Sequence, residues 1–440
     1  MRKYFFTAAL LVFCFCSLAQ HKTRVSFNNG WKFKLDSIQS FSDANVDDAS
    51  WRTLNLPHDW SIEGKFDKDA AAGTGGGALP GGIGWYRKTF MVPASQKGKV
   101  IFIGFDGVYR NGEVFINGHS LGVRPYGYSS FQYDLTPYLK YGNEKNVIAV
   151  KVDNSKQPNS RWYSGSGIYR NVWLTTLNKT HIDNWGTYIS TPEINSKEAV
   201  VAIQTNVVNG SNTNTLLLTT VYDASGKQVA SSTTKADKNS ISQSIKISQP
   251  KLWSVDRPYL YKAVSQLKSG NIILDEYSTT FGIRSFEFDR EKGFSLNGKR
   301  IKLLGVCNHH DLGALGAAIN TRALERQLEI LKAMGCNSIR TSHNLPAPEL
   351  LDLCDKMGFV VMDEAFDIWA KPKSKYDYHL DWNEWHKKDL SDFIVRDRNH
   401  PSVMIWSIGN EILEQWGDAS KGDTSRRVIA RELAGIVRSL

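Results

Sequence analysis

The sequence predicts a multidomain chain of β and α/β class: a jelly-roll β-sandwich, then an immunoglobulin-like β-sandwich, then the first half of a (β/α)8 TIM barrel. Three observations predict it. The 440 residues suffice for about three domains. Short alternating runs between turn signals fill the chain to about residue 285, with no helical period. Beyond the hairpin signal Asn297-Gly298, strands alternate with amphipathic helices, the pattern of βα units on a parallel sheet. The expected divisions are a signal peptide at 1–19, the jelly roll at 20–180, the immunoglobulin-like sandwich at 181–285 and the incomplete barrel at 286–440.

Arg2 and Lys3 head an apolar run over 4–16, and Ser17-Leu18-Ala19 supplies the small residues before a cut at Gln20, which is the layout of a signal peptide. The run is short for a membrane anchor, and Cys14 and Cys16 lack the small preceding residue of a lipoprotein site. The protein is therefore expected to be exported, to the periplasm, the cell surface or the medium. No later segment is apolar enough for a membrane helix. Three cysteines remain after cleavage, Cys307, Cys336 and Cys354; an odd number on predicted core elements reads as buried thiols.

The formal charge is +10, or two less once Arg2 and Lys3 are removed. Basic residues are scattered among acids with no dense block, so the clustered footprint of a nucleic-acid binder is missing. The 13 Trp and 17 Tyr suit carbohydrate binding, where rings stack on sugar C–H faces, although many secreted β-rich proteins share that composition.

In the first sandwich, 99–105 is apolar, 112–116 alternates, Asn117-Gly118 marks a two-residue hairpin, and 147–153 alternates with Lys151 and Asp153 outward. The glycine-rich run 73–84 lacks the Gly-Lys-Ser/Thr ending of a phosphate loop and opens no helix; a flexible loop reaching toward a pocket fits it better. Arg161-Trp162-Tyr163 sets a guanidinium and two rings in a Gly/Ser-rich loop, equally compatible with packing and with ligand contact. In the second sandwich, alternation runs through Val201, Ile203, Thr205 and Val207 and then Leu216, Leu218, Thr220 and Tyr222. It shows no site chemistry and reads as a spacer.

The barrel strands are expected at 301–306, 337–340, 359–362 and 402–408. Asn320 or Thr321 caps a helix with the stripe Leu324, Leu328, Leu331 and Met334, ended by Gly335. Further helices are expected at 348–357, with Gly358 past the end, and at about 382–398, stopped by Asn399-His400-Pro401. Each strand is followed by polar residues: Asn308, His309, His310 and Asp311; Arg340, Ser342, His343 and Asn344; Asp363, Glu364, Asp367 and Trp369; Asn410 and Glu411. In a barrel all four sets share one rim, and four such sets in register imply a polar pocket. A metal reading lacks ligand spacing such as His-x-x-x-His on a helix.

The segment RDRNHPSVMIWSIGNE at 396–411 places a glycine, an amide and an acid at the C-terminal end of an apolar strand. It resembles the acid/base signature of glycoside hydrolase family 2, the β-galactosidase and β-glucuronidase family. LNLPHDW at 54–60, GWYRKTF at 84–90, FDGVYRNGEVFINGHSLG at 105–122 and SRWYSGSGIYRNVWL at 160–174 resemble the family's N-terminal sugar-binding domain. LWS at 252–254, DRPYLY at 256–261 and FGIR at 281–284 resemble its middle domain. SHNLP at 342–346 and DEAFD at 363–367 look like the β-galactosidase side of the family.

The resemblance implies a retaining glycosidase, which needs two carboxylates about 5–5.5 Å apart. Glu411 would be the general acid/base, kept protonated by burial and by the nucleophile's charge. Asn410 would bond the sugar 2-hydroxyl, His309 and His343 would hold other hydroxyls, and Arg340 would lie beside the nucleophile. Asp363, with Glu364, is a supporting rim acid, and Trp369 and Arg161 complete the expected substrate-binding set. The family's sugar-binding aspartate near Arg161 is replaced here, so that contact does not carry over. Ile368 and Ala370 stand where some members hold magnesium, so no cofactor and no essential metal are expected. The family's nucleophile is a glutamate on the seventh barrel strand, and this chain reads only to the helix after the fourth. It is thus expected to be part of a longer enzyme, inactive and poorly stable alone. The expected substrate is a glycan with terminal β-galactosyl residues, with no nucleic-acid partner, no membrane span, and homo-oligomers compatible. β-Glucuronidase or β-mannosidase activity is the alternative within the family, and a secreted carbohydrate-binding protein without catalysis the alternative of another class.

Overall fold

The computed structural model describes residues 22–208, 215–417 and 424–440, so the expected signal peptide lies outside the described residues. The first domain is a jelly-roll sandwich of two antiparallel sheets. One has six strands, in the order Arg52–Leu54, Trp31–Leu35, Gly82–Met91, Lys145–Asn154, Gly112–Ile116, His119–Arg124. The other has four, in the order Thr23–Ser26, Val172–Leu177, Val100–Phe105, Phe131–Asp134. Inward residues of both sheets, among them Trp31, Ile103, Val114, Val150 and Val172, are fully buried between them. Asn117 and Gly118 both take left-handed backbone (φ 51° and 88°), as the tight turn after Ile116 requires. The glycine-rich segment packs on the 161–163 loop: a Cβ on Gly77 would lie 2.9 Å from the Tyr163 ring.

The second domain faces a three-stranded sheet (His181–Ile194, Glu198–Val208, Ser240–Ser248) against a four-stranded one (Gln228–Lys235, Thr215–Tyr222, Tyr261–Ser269, Ile272–Phe281). Val201, Ile203, Thr205 and Val207 point into its core as expected. In Thr215–Tyr222 the phase is the opposite of that expected. Thr215, Leu217, Thr219 and Val221 face the core and Leu216 is 39 % exposed. Both phases of this strand are apolar or β-branched, so only the opposing sheet decides between them.

A small sheet (Phe286–Asp289, Gly293–Leu296, Lys299–Arg300), turned at Asn297 and Gly298, leads into the barrel. There β1 (Gly305–Asn308), α1 (Thr321–Ala333), β2 (Ser338–Thr341), α2 (Pro348–Met357), β3 (Val360–Glu364), α3 (Trp382–Asp397), β4 (Val403–Ser407) and α4 (Ser425–Ser439) form a parallel sheet in the order β1-β2-β3-β4, with its helices. β1 begins later than expected because Ile301 and Leu303 pack around buried Trp253 at the junction with the second domain. Asn320 caps α1 by accepting from the Ala323 amide, Pro348 opens α2, and Gly358 closes it at φ 73°. Leu324 and Leu328 are buried, but Met334 lies past the end of α1 and is 69 % exposed. Of the three cysteines among the described residues only Cys354 is buried. Cys307 is exposed because it lies on the inner face of β1, beside Arg340. No helix among the described residues is long and apolar enough to cross a membrane.

Candidate active site

The C-terminal ends of β2, β3 and β4 bring three polar groups together. Arg340 on β2 donates to Glu364 at the end of β3 (Nε 3.0 Å, Nη2 2.8 Å) and to the Asn410 side-chain oxygen just after β4 (2.7 Å). Glu364 also meets His343 Nδ1 at 2.7 Å and accepts from the Ser407 hydroxyl at 2.5 Å. Burial opposes its charge, but the bonds from His343, Ser407 and Arg340 outweigh burial and hold its carboxyl below the usual range. Asn410 donates its amide to Asp367 at 2.8 Å.

The jelly roll contributes the fourth side of the site. Arg161 reaches across to Asp367 (2.7 and 3.1 Å) and to Glu411 (3.2 Å). Asp367 accepts from Lys373 as well, at 2.9 Å. Burial would raise the Asp367 carboxyl, yet the bonds from Arg161, Asn410 and Lys373 prevail and keep it below its ordinary value. Trp162, next to Arg161, sets its ring 5.2 Å from His309 and 5.6 Å from His343, and the two imidazoles lie 5.5 Å apart. The His309 ring is pushed down by burial and then by His343. A cleft of about 400 Å³ at this boundary is lined by Tyr109, Tyr126, Asn159, Trp162, His343 and Asp367.

Arg161, His309, His343, Arg340, Asn410 and Glu411 are thus gathered into one network, linked through Asp367, Glu364 and the Trp162 ring. Two expected members stand apart. Asp363 precedes Glu364 in the same strand, so its side chain points to the opposite face. There it is fully buried near Thr341, Arg396 and Asp397, with its carboxyl pushed well up by burial and by Asp397. It is neither a rim acid nor a sugar contact, and Glu364 is likewise wholly buried, below the rim. Both were expected after the strand, but β3 runs through them. Trp369 is also buried. Its indole donates to the Ile408 carbonyl at 2.8 Å, and a Cβ on Gly409 would lie 2.7 Å from its nitrogen, so it props the turn that presents Glu411.

Glu411 itself differs from expectation. Its side chain is 68 % exposed rather than buried, on left-handed backbone with φ 43°. Non-glycine residues adopt that conformation at a cost and are concentrated at functional turns. Arg340 is committed to Glu364 and Asn410. Asp367 stood in the sequence's polar set after β3, but nothing marked it as the acceptor on which Arg161, Lys373 and Asn410 converge. Lys373, beyond Pro372, carried no sequence signal. Ile368 is buried and Ala370 exposed, and neither side chain offers a metal ligand. Asp352, Asp355 and His400 have ligand atoms within 4.8 Å of one another. They lie toward the opposite end of the strands, where His400 already pairs with Asp355 at 2.6 Å.

An acid at a strand end thus stands beside an amide, two imidazoles and an indole at the mouth of the half-barrel. Three family models match: Glycosyl hydrolases family 2, sugar binding domain, over residues 25–178; Glycosyl hydrolases family 2, over 180–284; and Glycosyl hydrolases family 2, TIM barrel domain, over 289–429. The chain belongs to glycoside hydrolase family 2. It is 56 % identical over 415 residues to β-galactosidase BoGH2A of Bacteroides ovatus, covering 93 % of this chain and 48 % of that protein. It is 34 % identical over 423 residues to a β-glucuronidase of Formosa agariphila, covering 89 % of this chain and 42 % of that one. A crystal structure of a family 2 member from Bacteroides cellulosilyticus superposes with TM-score 0.91 at 41 % identity, covering 95 % of this chain and 55 % of that chain. The chain thus spans about half the length of the relatives it matches.

Proposed function

We propose that the whole protein is an exported retaining glycosidase that removes terminal β-galactosyl residues from glycans, with Glu411 as general acid/base. The observation that carries this reading is the Asn410-Glu411 turn at the end of β4, whose amide is fixed between Arg340 and Asp367. Glu411 protonates the leaving oxygen, and a second carboxylate attacks the anomeric carbon. In this reading that nucleophile comes from a seventh barrel strand outside these 440 residues. Asn410 faces the sugar 2-hydroxyl, where a bond strengthens as positive charge develops on the ring. Trp162 offers a ring for the sugar's C–H face between His309 and His343.

A neutral sugar is favoured over a glucuronide by the pairing of charges at this rim. Among the described residues of this rim, Arg161, Lys373 and Arg340 each already contact a carboxylate, of Asp367, Glu411 or Glu364, so none of these three is uncommitted for a substrate carboxylate. The similarity to a β-galactosidase supports the same choice. The test is Glu411→Gln in the protein carrying the complete barrel. Turnover of an unactivated β-galactoside should fall by about 10²–10⁴-fold, and that of a nitrophenyl β-galactoside by much less, because an activated leaving group needs little protonation. Equal losses on both, or faster turnover of a β-glucuronide by the unmutated enzyme, would defeat the assignment. So would hydrolysis of a nitrophenyl β-galactoside by the 440-residue chain alone.

A further inference from the structure

A long groove runs along the outside of the molecule where all three domains meet. Two clefts, of about 930 and 850 Å³, join through shared walls that include Gln132, Asn184 and Trp185. Neither shares a lining residue with the cleft at Trp162 and His343. The floor is the outer face of the four-stranded jelly-roll sheet. Gln132, Gly104 and Trp173 stand side by side there in register on three adjacent strands. The absence of a side chain at Gly104 keeps the floor low: a Cβ there would find nothing nearer than the Phe131 carbonyl oxygen, at 3.9 Å.

The wall is built around Trp185. It takes φ 52°, left-handed backbone, inside an irregularity of His181–Ile194 between Ile182 and Thr187. A bulge of this kind re-aims a side chain, and a bulky residue tolerates that backbone only at a cost. Trp173, by contrast, is covered on one face by Arg24, and Trp385 by Arg124. Among the described residues, the Trp185 ring has neither a stacking partner nor a hydrogen bond. The half-buried side-chain amides of Gln132 and Asn184 likewise have no hydrogen-bond partner. The charged groups lining the groove balance in number, Lys22, Arg24, Arg124 and Lys388 against Asp106, Asp183, Glu276 and Asp392; Arg124 and Lys388 both contact Asp392, and Arg24 lies near Asp106.

We propose that this groove is a second carbohydrate-binding site, which holds a neutral oligosaccharide chain away from the barrel mouth. A free indole face accepts sugar C–H groups. An uncommitted amide offers donors and an acceptor together, which matches a hydroxyl that both gives and takes a bond. A charge-neutral lining disfavours a polyanion. The choice of saccharide as ligand rests on the glycosidase reading, but the residues are separate from those of the catalytic site.

The test is calorimetric titration of the full-length protein, in a Glu411→Gln background to prevent consumption, with four neutral tetrasaccharides: β-1,4-galacto-, cello-, xylo- and mannotetraose. At least one should show binding that weakens tenfold or more in both Trp185→Asn and Gly104→Leu. Asparagine keeps the left-handed backbone accessible, and leucine fills the floor from the other side, so loss in both with unchanged melting is a property of the groove. Asn410→Ala should leave this binding intact. The proposal is overturned if no tetrasaccharide binds, if binding survives both substitutions, or if Trp185→Asn instead dissociates an oligomer without affecting sugar. Failure of the glycosidase reading is separate: wild-type protein would then turn over none of these sugars while groove binding persisted.

Discussion

Asn410 can face only one way. Arg340 has donors alone, so the amide oxygen must meet it, and the Asp367 carboxylate accepts, so the amide nitrogen must meet that. Each group keeps spare capacity toward the cleft, which is how a single residue can be both fixed and free to bind. The same reasoning from local chemistry applies to His400 at the far end of the strands. Burial disfavours its charge, but Asp355, 2.6 Å away, outweighs burial and raises the ring to about 9. Its folded-state value lies above the unfolded value of about 6.5, so the pair's contribution is complete below that pH and is lost as pH rises through 9. The contribution is at most about 3 kcal/mol. Urea denaturation at pH 6, 7.5 and 9.5 should therefore show His400→Gln well below wild type at pH 6, with the gap narrowing toward pH 9.5. A gap constant across the three would show that the ring is not protonated in the fold.

At the scale of elements, caps and tight turns carry their own chemistry in the sequence. Asn320, Pro348, Gly358 and the turn pairs Asn117-Gly118 and Asn297-Gly298 sit where local rules put them. Gly358 combines two such demands. Its backbone is left-handed, and a Cβ would come within 2.2 Å of the Val255 carbonyl, in the second domain. Gly98 is left-handed as well but has nothing within 4 Å. Gly98→Ala should therefore cost only the backbone term, about 1 kcal/mol, and Gly358→Ala at least about twice that, because α2 must also shift against the neighbouring domain. Equal melting temperatures for the two variants would remove the steric part of the argument. What was illegible at this scale is where strands end and which way they face. A shift of two residues carried Asp363 and Glu364 into β3, and alternation then sent one to the site and the other behind it. Trp369 belongs to the expected substrate-binding set because it follows a barrel strand; its bond to the Ile408 carbonyl and the close approach of Gly409 show it propping the next turn. Trp162, from another domain, provides a ring at the cleft.

At the scale of the whole molecule, arginines of the jelly roll fasten the barrel mouth. Arg110 reaches Asp381 and the Tyr376 carbonyl, Arg124 reaches Asp389 and Asp392, and Arg161 reaches Asp367 and Glu411. These pairs lie more than 200 residues apart, beyond any periodicity or motif, so the sequence names the residues but not their partners. Arg170 is the most enclosed of the set, at 1 % exposure. It donates to the carbonyls of Leu345 and Pro346, at the end of the loop that carries His343, and to those of Asp106 and Tyr128 in its own domain. Arg170→Met fills much of the same volume but removes the charged donor from four carbonyls; those of Asp106 and Pro346 keep Ser130 and Arg396 as donors, those of Leu345 and Tyr128 lose theirs, and bonds to a charged donor are worth about 1.5–3 kcal/mol each. The jelly roll keeps its own core around Trp31 and Val150, so this loss falls on the docking of the two domains rather than on either fold. Calorimetry should accordingly show the wild-type transition separate into two, with the calorimetric enthalpy exceeding the van't Hoff value. Sugar affinity at the barrel mouth should weaken with it, because the His343 loop loses its anchor. A single transition merely shifted to lower temperature would mean that Arg170 stabilises one domain internally, and that the site does not depend on the jelly roll being locked in place.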